Sequence, residues 1–185
     1  MKSNRSARMN AMHFLVLTAR YFRQIFTNLG IFLPLLLEAP ILLILLIVVC
    51  KADSFTLKAV TDANTVIFLL VVMSALMGIL NSYREICKER EVLAREVFGG
   101  LDVNAYALSK FVVLAVFGAG QTLILFGGAA LYVDFAFASP AAAYPLCWLA
   151  LYLTNLATVA IGLFLSALLK RSESAILPVL LIIIA

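Results

Sequence analysis

The sequence predicts an all-α membrane protein: a polytopic helical bundle with an amphipathic N-terminal interfacial helix, four full spans and a truncated fifth. Three observations predict it. Hydrophobic residues make up 64% of the 185-residue chain and charged residues 13%, whereas soluble domains sit near half and a quarter. Mean hydropathy is +1.08. Four apolar runs reach the roughly 20 residues a helix needs to cross a bilayer core of about 30 Å.

Residues 1–30 are expected to form a cytoplasmic N-terminus and a connecting helix at the interface, and residues 31–185 the transmembrane domain. From Met9 to Leu29, apolar Phe14, Leu17, Tyr21 and Ile25 recur at helical spacing, and so do polar His13, Arg20, Gln24 and Thr27. That pattern suits a helix lying in the headgroup region; the alternative is a cytoplasmic extension of the first span. Basic residues are spread from Lys2 through Arg5, Arg8, Arg20 and Arg23, unlike the short basic start and apolar block of a signal peptide.

The spans are expected at about 31–50, 65–83, 111–133 and 144–169. A fifth apolar run, 175–185, ends after eleven residues, enough for only about 16 Å of helix. It is either re-entrant or the start of a span in a longer protein, and the longer protein is the expectation. Basic residues alternate along the connections. The N-terminal segment and the 84–110 loop are rich in them, and the turn after the fourth span holds Lys170 and Arg171. The 51–64 loop balances Lys51 and Lys58 against Asp53 and Asp62, and the loop after the third span holds only Asp134. By the positive-inside rule the N-terminus and the 84–110 loop are cytoplasmic, in a multi-pass protein of the cell membrane.

Several function classes lack support. Net charge is +4 without a basic cluster beside readable polar surface, so no nucleic-acid partner is expected. Cys50, Cys87 and Cys147 are odd in number and far apart, which suits neither a disulfide framework nor a metal knuckle. His13 stands alone, so no metal site is expected. Ser82 and Ser109 lie beside no histidine, so no catalytic residue is assigned. The chain contains no GxxxxGK[ST], the phosphate-cradling loop of an ATPase.

The 84–110 loop carries the most information. It reads NSYREICKEREVLAREVFGGLDVNAYALSK from Asn81, with acids preceding bases at three or four residues. Such pairs support a helix, expected to continue the second span into the cytoplasm and to end at Gly99-Gly100. Tyr106 and Lys110 then read as interfacial anchors of the third span. The loop is either a solvated helical hairpin or a docking surface for a cytoplasmic partner.

Within the spans, Glu38 is costly unless paired, protonated or near the interface. It is either a hydrogen-bonding residue between spans, the expected role, or a substrate or proton site. Thr154, Thr158, Gly162 and Ser166 form a small-residue stripe that lets helices approach, within the chain or at a dimer seam. Met73, Leu76 and Met77 suit an apolar path, or plain core and lipid contacts.

The run REICKERE, then RE, GL, AY and SK, resembles the loop between the second and third spans of type-2 ABC exporter permeases. It is most similar to the G-type branch, including bacterial proteins that join a forkhead-associated domain, an ATPase and a permease. LTARYFRQIFTNLGIFLPLLLEAP, from Leu17, resembles that family's connecting helix and first span. SKFVVLAVFGAGQTLILF, from Ser109, resembles its third. The chain departs from the pattern at Val97, where a basic residue is expected, and at Glu38, where an uncharged amide is expected. The resemblance implies six spans per permease domain and two domains, identical or mixed, around a central path. It also implies an ABC ATPase partner that holds ATP and magnesium. Arg84, Glu85, Lys88, Glu89, Arg90, Arg95 and Glu96 would then form a coupling helix, flanked by Arg20 and Arg23 of the connecting helix. Substrates are expected to be hydrophobic or amphipathic. The alternative is a membrane accessory or scaffold protein without transport of its own.

Overall fold

The computed structural model describes residues 11–50, 60–133, 135 and 139–169. Among these, every regular element is a helix: α1 (Ala11–Thr27), α2 (Leu29–Val49), α3 (Val60–Ser82), α4 (Arg90–Phe98), α5 (Val103–Tyr132) and α6 (Pro140–Leu168), with one 3-10 turn at Cys87–Glu89. Among the described residues four helical stretches are long and apolar enough to cross a membrane, Leu29–Val49, Ala63–Phe98, Val103–Tyr132 and Pro140–Leu168. The expected partial fifth span and the basic turn at Lys170 and Arg171 lie outside the described residues, as does most of the 51–64 loop.

α1 is amphipathic in a specific way. Leu17, Tyr21 and Ile25, one turn apart, are buried. Leu17 packs with Ala105 and Tyr106 of α5, while Tyr21 and Ile25 pack with Leu35 and Val113. Met12, Leu15, Val16 and Phe26 remain exposed, as a helix at the lipid boundary requires. A single residue separates α1 from α2. Asn28 has extended backbone, and its side chain accepts from the Gly30 N–H at 3.0 Å. That cap starts the new helix in a new direction. Pro34 and Pro40 lie inside α2 and Pro145 inside α6, where packed neighbours can satisfy the carbonyls they free.

The core joins Ala39 and Leu46 of α2, Val66, Leu70, Met73 and Met77 of α3, Leu125, Phe126 and Ala129 of α5, and Leu151 of α6. Met73 and Met77 therefore fill the centre of the bundle. α3 and α6 form the most extensive helix pair. Ser74 Oγ donates to Leu151 O at 2.6 Å, and Asn155 Nδ2 donates back to Ser74 O at 3.1 Å. Gly78 lies against Asn155 and Thr158, and Gly162 against Ser82, so close that a Cβ at either glycine would collide. Removing side chains here lets the two backbones touch. On α5, Gly118 meets the Asn155 side chain in the same manner.

One expectation needs correction. The charged helix after the second span, α4, does not continue it without a break. The helical ladder loosens after Ser82 and resumes regularly only at Arg90. The reason is a partner from another helix: the Ile86 and Cys87 N–H groups both donate to Ser166 Oγ of α6, each at 3.0 Å. The helix that carries the third span begins at Val103, where the Asp102 side chain caps it, accepting from Asn104 N–H at 3.0 Å. With 30 residues α5 is about 45 Å long, so its first turns lie outside a core of about 30 Å.

Candidate functional site

The loop from Tyr83 to Leu101 folds against α1 and the first turns of α5. Its charges divide into two sets. Glu85 and Glu89, one turn apart, point inward. Tyr21 of α1 donates its hydroxyl to Glu85 Oε2, and Tyr106 of α5 donates to Glu89 Oε2 at 2.7 Å. Between the carboxylates sits the ammonium of Lys110, 2.9 Å from Glu89 Oε2 and 3.3 Å from Glu85 Oε2. It also lies 3.7 Å from the centre of the Tyr21 ring, a cation–π distance. Lys88 pairs with Glu85 from within the loop. The cluster thus contains two carboxylates and two ammonium groups and carries no net charge.

Burial alone would raise the Glu89 carboxyl; the charge and hydrogen bond of Lys110, the Tyr106 hydroxyl and nearby Lys88 instead hold it below the usual carboxylate range. Burial and the adjacent Glu85 carboxylate push the Tyr21 phenol far above its usual range, so it remains a donor. Lys110 is 2% exposed. Lys110 and Tyr106 are therefore not anchors turned towards headgroups, as the sequence suggested, but interior members of this cluster. The spacing of Glu85 and Glu89 on one helical face was the available signal. What the sequence alone does not show is which helix covers that face.

The outward set forms a ledge. Arg84 lies over the Tyr83 ring, 4.9 Å from its centre. Arg90 Nη1 donates to Leu169 O at 2.8 Å, and Arg95 is exposed. Glu96 meets Arg20 of α1 in a two-pronged pair, Nη1–Oε1 at 2.8 Å and Nη2–Oε2 at 3.3 Å, a geometry that fixes orientation as well as distance. Gln24 Nε2 approaches Glu89 Oε1 at 3.4 Å. An open cleft of about 460 Å³ runs between α1 and α4, with Arg20, Arg23 and Thr27 on one wall and Glu89, Val92 and Glu96 on the other. A second groove of about 340 Å³ lies on the other side of the Arg20–Glu96 pair, between Val16 and Gly100. α1 and α4 together thus make a grooved surface in which charged and apolar side chains alternate.

The structure brings Glu38 together with two residues that the sequence did not single out. Gln121 Nε2 donates to Glu38 Oε2 at 3.1 Å and to Leu35 O at 2.7 Å, while Asn81 Nδ2 donates to Gln121 Oε1 at 2.9 Å. α2, α3 and α5 are tied at that level. Thr158, Gly162 and Ser166 of the small-residue stripe face α3 and the loop; Thr154 is half-exposed and bonds only along its own helix, to Ala150 O at 3.0 Å.

The family model described as ABC-2 type transporter matches residues 12–185. No curated protein and no solved structure matches the chain.

Proposed function

The chain belongs to the ABC-2 type transporter family and is a multi-pass membrane permease component; from that premise we propose that it is the membrane half of an ATP-driven exporter whose ATPase seats on the ledge of α1 and α4. The observation that carries this reading is the Arg20–Glu96 pair, which locks α4 beside α1 and leaves the α4 arginines facing outward. A mobile hairpin could not transmit force; one fastened to both its neighbours can. In this reading ATP and magnesium bind in the partner, and the chain supplies the path. Arg84, Arg90 and Arg95 contact the ATPase, with Arg23 at the edge. Glu85, Lys88, Glu89 and Glu96 hold the ledge in place from within.

The finer assignment follows the same line. The loop pattern favours the G-type branch and a second permease domain across a central path. The apolar spans, with Glu38 committed to Gln121, favour a hydrophobic or amphipathic substrate. The basic loop favours a cytoplasmic N-terminus in the cell membrane. Glu38 acts here as a hydrogen-bonding tie between spans.

Arg84→Glu with Arg95→Glu is the direct test. The double variant should keep its thermal stability in detergent and lose at least fivefold in co-purification with the ATPase encoded beside it. Undiminished retention would overturn the docking assignment. Orientation is checked by labelling: in a cysteine-free background, Glu91→Cys should react with an impermeant maleimide only after the membrane is opened.

A further inference from the structure

Lys110 stands apart from the docking surface, and its position demands an explanation. A lysine at the entry to a span normally extends its stem towards the headgroups and keeps its charge in water. Lys110 does the opposite. It turns inward, is 2% exposed, and reaches groups from two other elements: Glu85 and Glu89 in the loop, and the face of Tyr21 in α1. It is rooted in α5 itself. One ammonium therefore bridges three elements, of which α1 is distant in sequence from the other two.

The surrounding chemistry makes that bridge directional. Each carboxylate accepts one phenol and shares Lys110, and Lys88 completes the charge balance. Buried ion pairs add little net stability, since desolvation offsets the attraction; their best-attested use is to fix register between elements. The other end of the loop is held more simply, by Ser166 Oγ and by Arg90 on Leu169 O. We propose that Lys110 is a positioning residue that fastens the cytoplasmic loop, α1 and α5 into one body, so that displacement of α4 is delivered to the third span. The delivery step rests on the reading of α4 as the ATPase contact; the fastening does not.

The test uses the full chain in lipid nanodiscs, in a cysteine-free background, with spin labels at Arg95→Cys on α4 and Leu131→Cys on α5. The unsubstituted Lys110 protein should give one narrow distance distribution. Lys110→Met should broaden it at least twofold, and Lys110→Arg should keep it narrow. Lys110→Met with Glu85→Gln and Glu89→Gln, which relieves the stranded charge without restoring the bridge, should stay broad. A Lys110→Met distribution as narrow as the parent overturns the fastening, and so does a narrow distribution in the triple variant. With the ATPase bound, a second pair at Phe68→Cys and Leu131→Cys reads movement of α5 against α3. A non-hydrolysable ATP analogue should shift that distance in the parent and in Lys110→Arg, and not in Lys110→Met with its ATPase retained. A shift of equal size in Lys110→Met overturns the delivery step. A narrow parent, a broad Lys110→Met and no ATPase retained by either counts against docking and leaves the fastening standing.

Discussion

Two junctions in this molecule solve the same problem by opposite means. α3 and α6 meet through Ser74, Gly78, Ser82, Asn155 and Gly162, with no charge between them. α1, the loop and α5 meet through Glu85, Glu89, Lys88 and Lys110, with four charges and two phenols. In lipid no hydrophobic force draws helices together, so close packing and hydrogen bonds must do so. The small-residue seam satisfies that demand without desolvating a charge. At the edge of the bundle water competes, and a charged junction can be made directional there. The seam suits parts that stay together, and the charged junction suits parts whose alignment carries a signal.

Neutralising the charged junction in steps separates alignment from stability. Lys110→Met alone should destabilise by about 3 kcal/mol, because it leaves the Glu89 carboxylate without a cation and Glu85 with Lys88 alone. Adding Glu85→Gln and Glu89→Gln should recover most of that loss. Thermal unfolding in detergent checks both; if the triple variant is no more stable than the single one, stranded charge is not the cause. The seam should fail sterically instead. Gly162→Val should cost about 1–3 kcal/mol through overpacking, and Ser82→Ala in the same protein should restore part of it, because the Ser82 side chain is what the new Cβ meets first. Gly78→Ala should admit no such rescue, since the carbonyl oxygen of Asn155 lies 2.5 Å from where the new Cβ would stand. The smallest effect is expected at the entrance to α5, where Asp102→Ala removes a cap worth about 1 kcal/mol. Hydrogen exchange at Asn104 should rise there without change in the seam.

The spans are legible in the sequence because lipid imposes one simple rule, a long apolar run, and α2, α3, α5 and α6 each obey it. The curved path of the loop is not legible. Its break after Ser82 depends on Ser166, some eighty residues away, supplying the acceptor for Ile86 and Cys87. The neighbours of Lys110 in sequence are apolar and suggest an interface; its neighbours in space are acidic. Glu38 looks solitary along the chain, although Asn81 and Gln121 are each conspicuous polar residues within apolar runs. Taking the polar residues of different spans as one set would suggest the tie.

One consequence concerns α5 as a mechanical part. Gly118 is fifteen residues from Val103 and fourteen from Tyr132, and Asn155 of α6 presses against it. The arms on either side are about 22 and 21 Å long. The arm beyond Gly118 is itself braced, by Gln121 on Leu35 O and by Leu125, Phe126 and Ala129 in the core, so a sideways push on the Val103 end loads the whole bundle and not that helix alone.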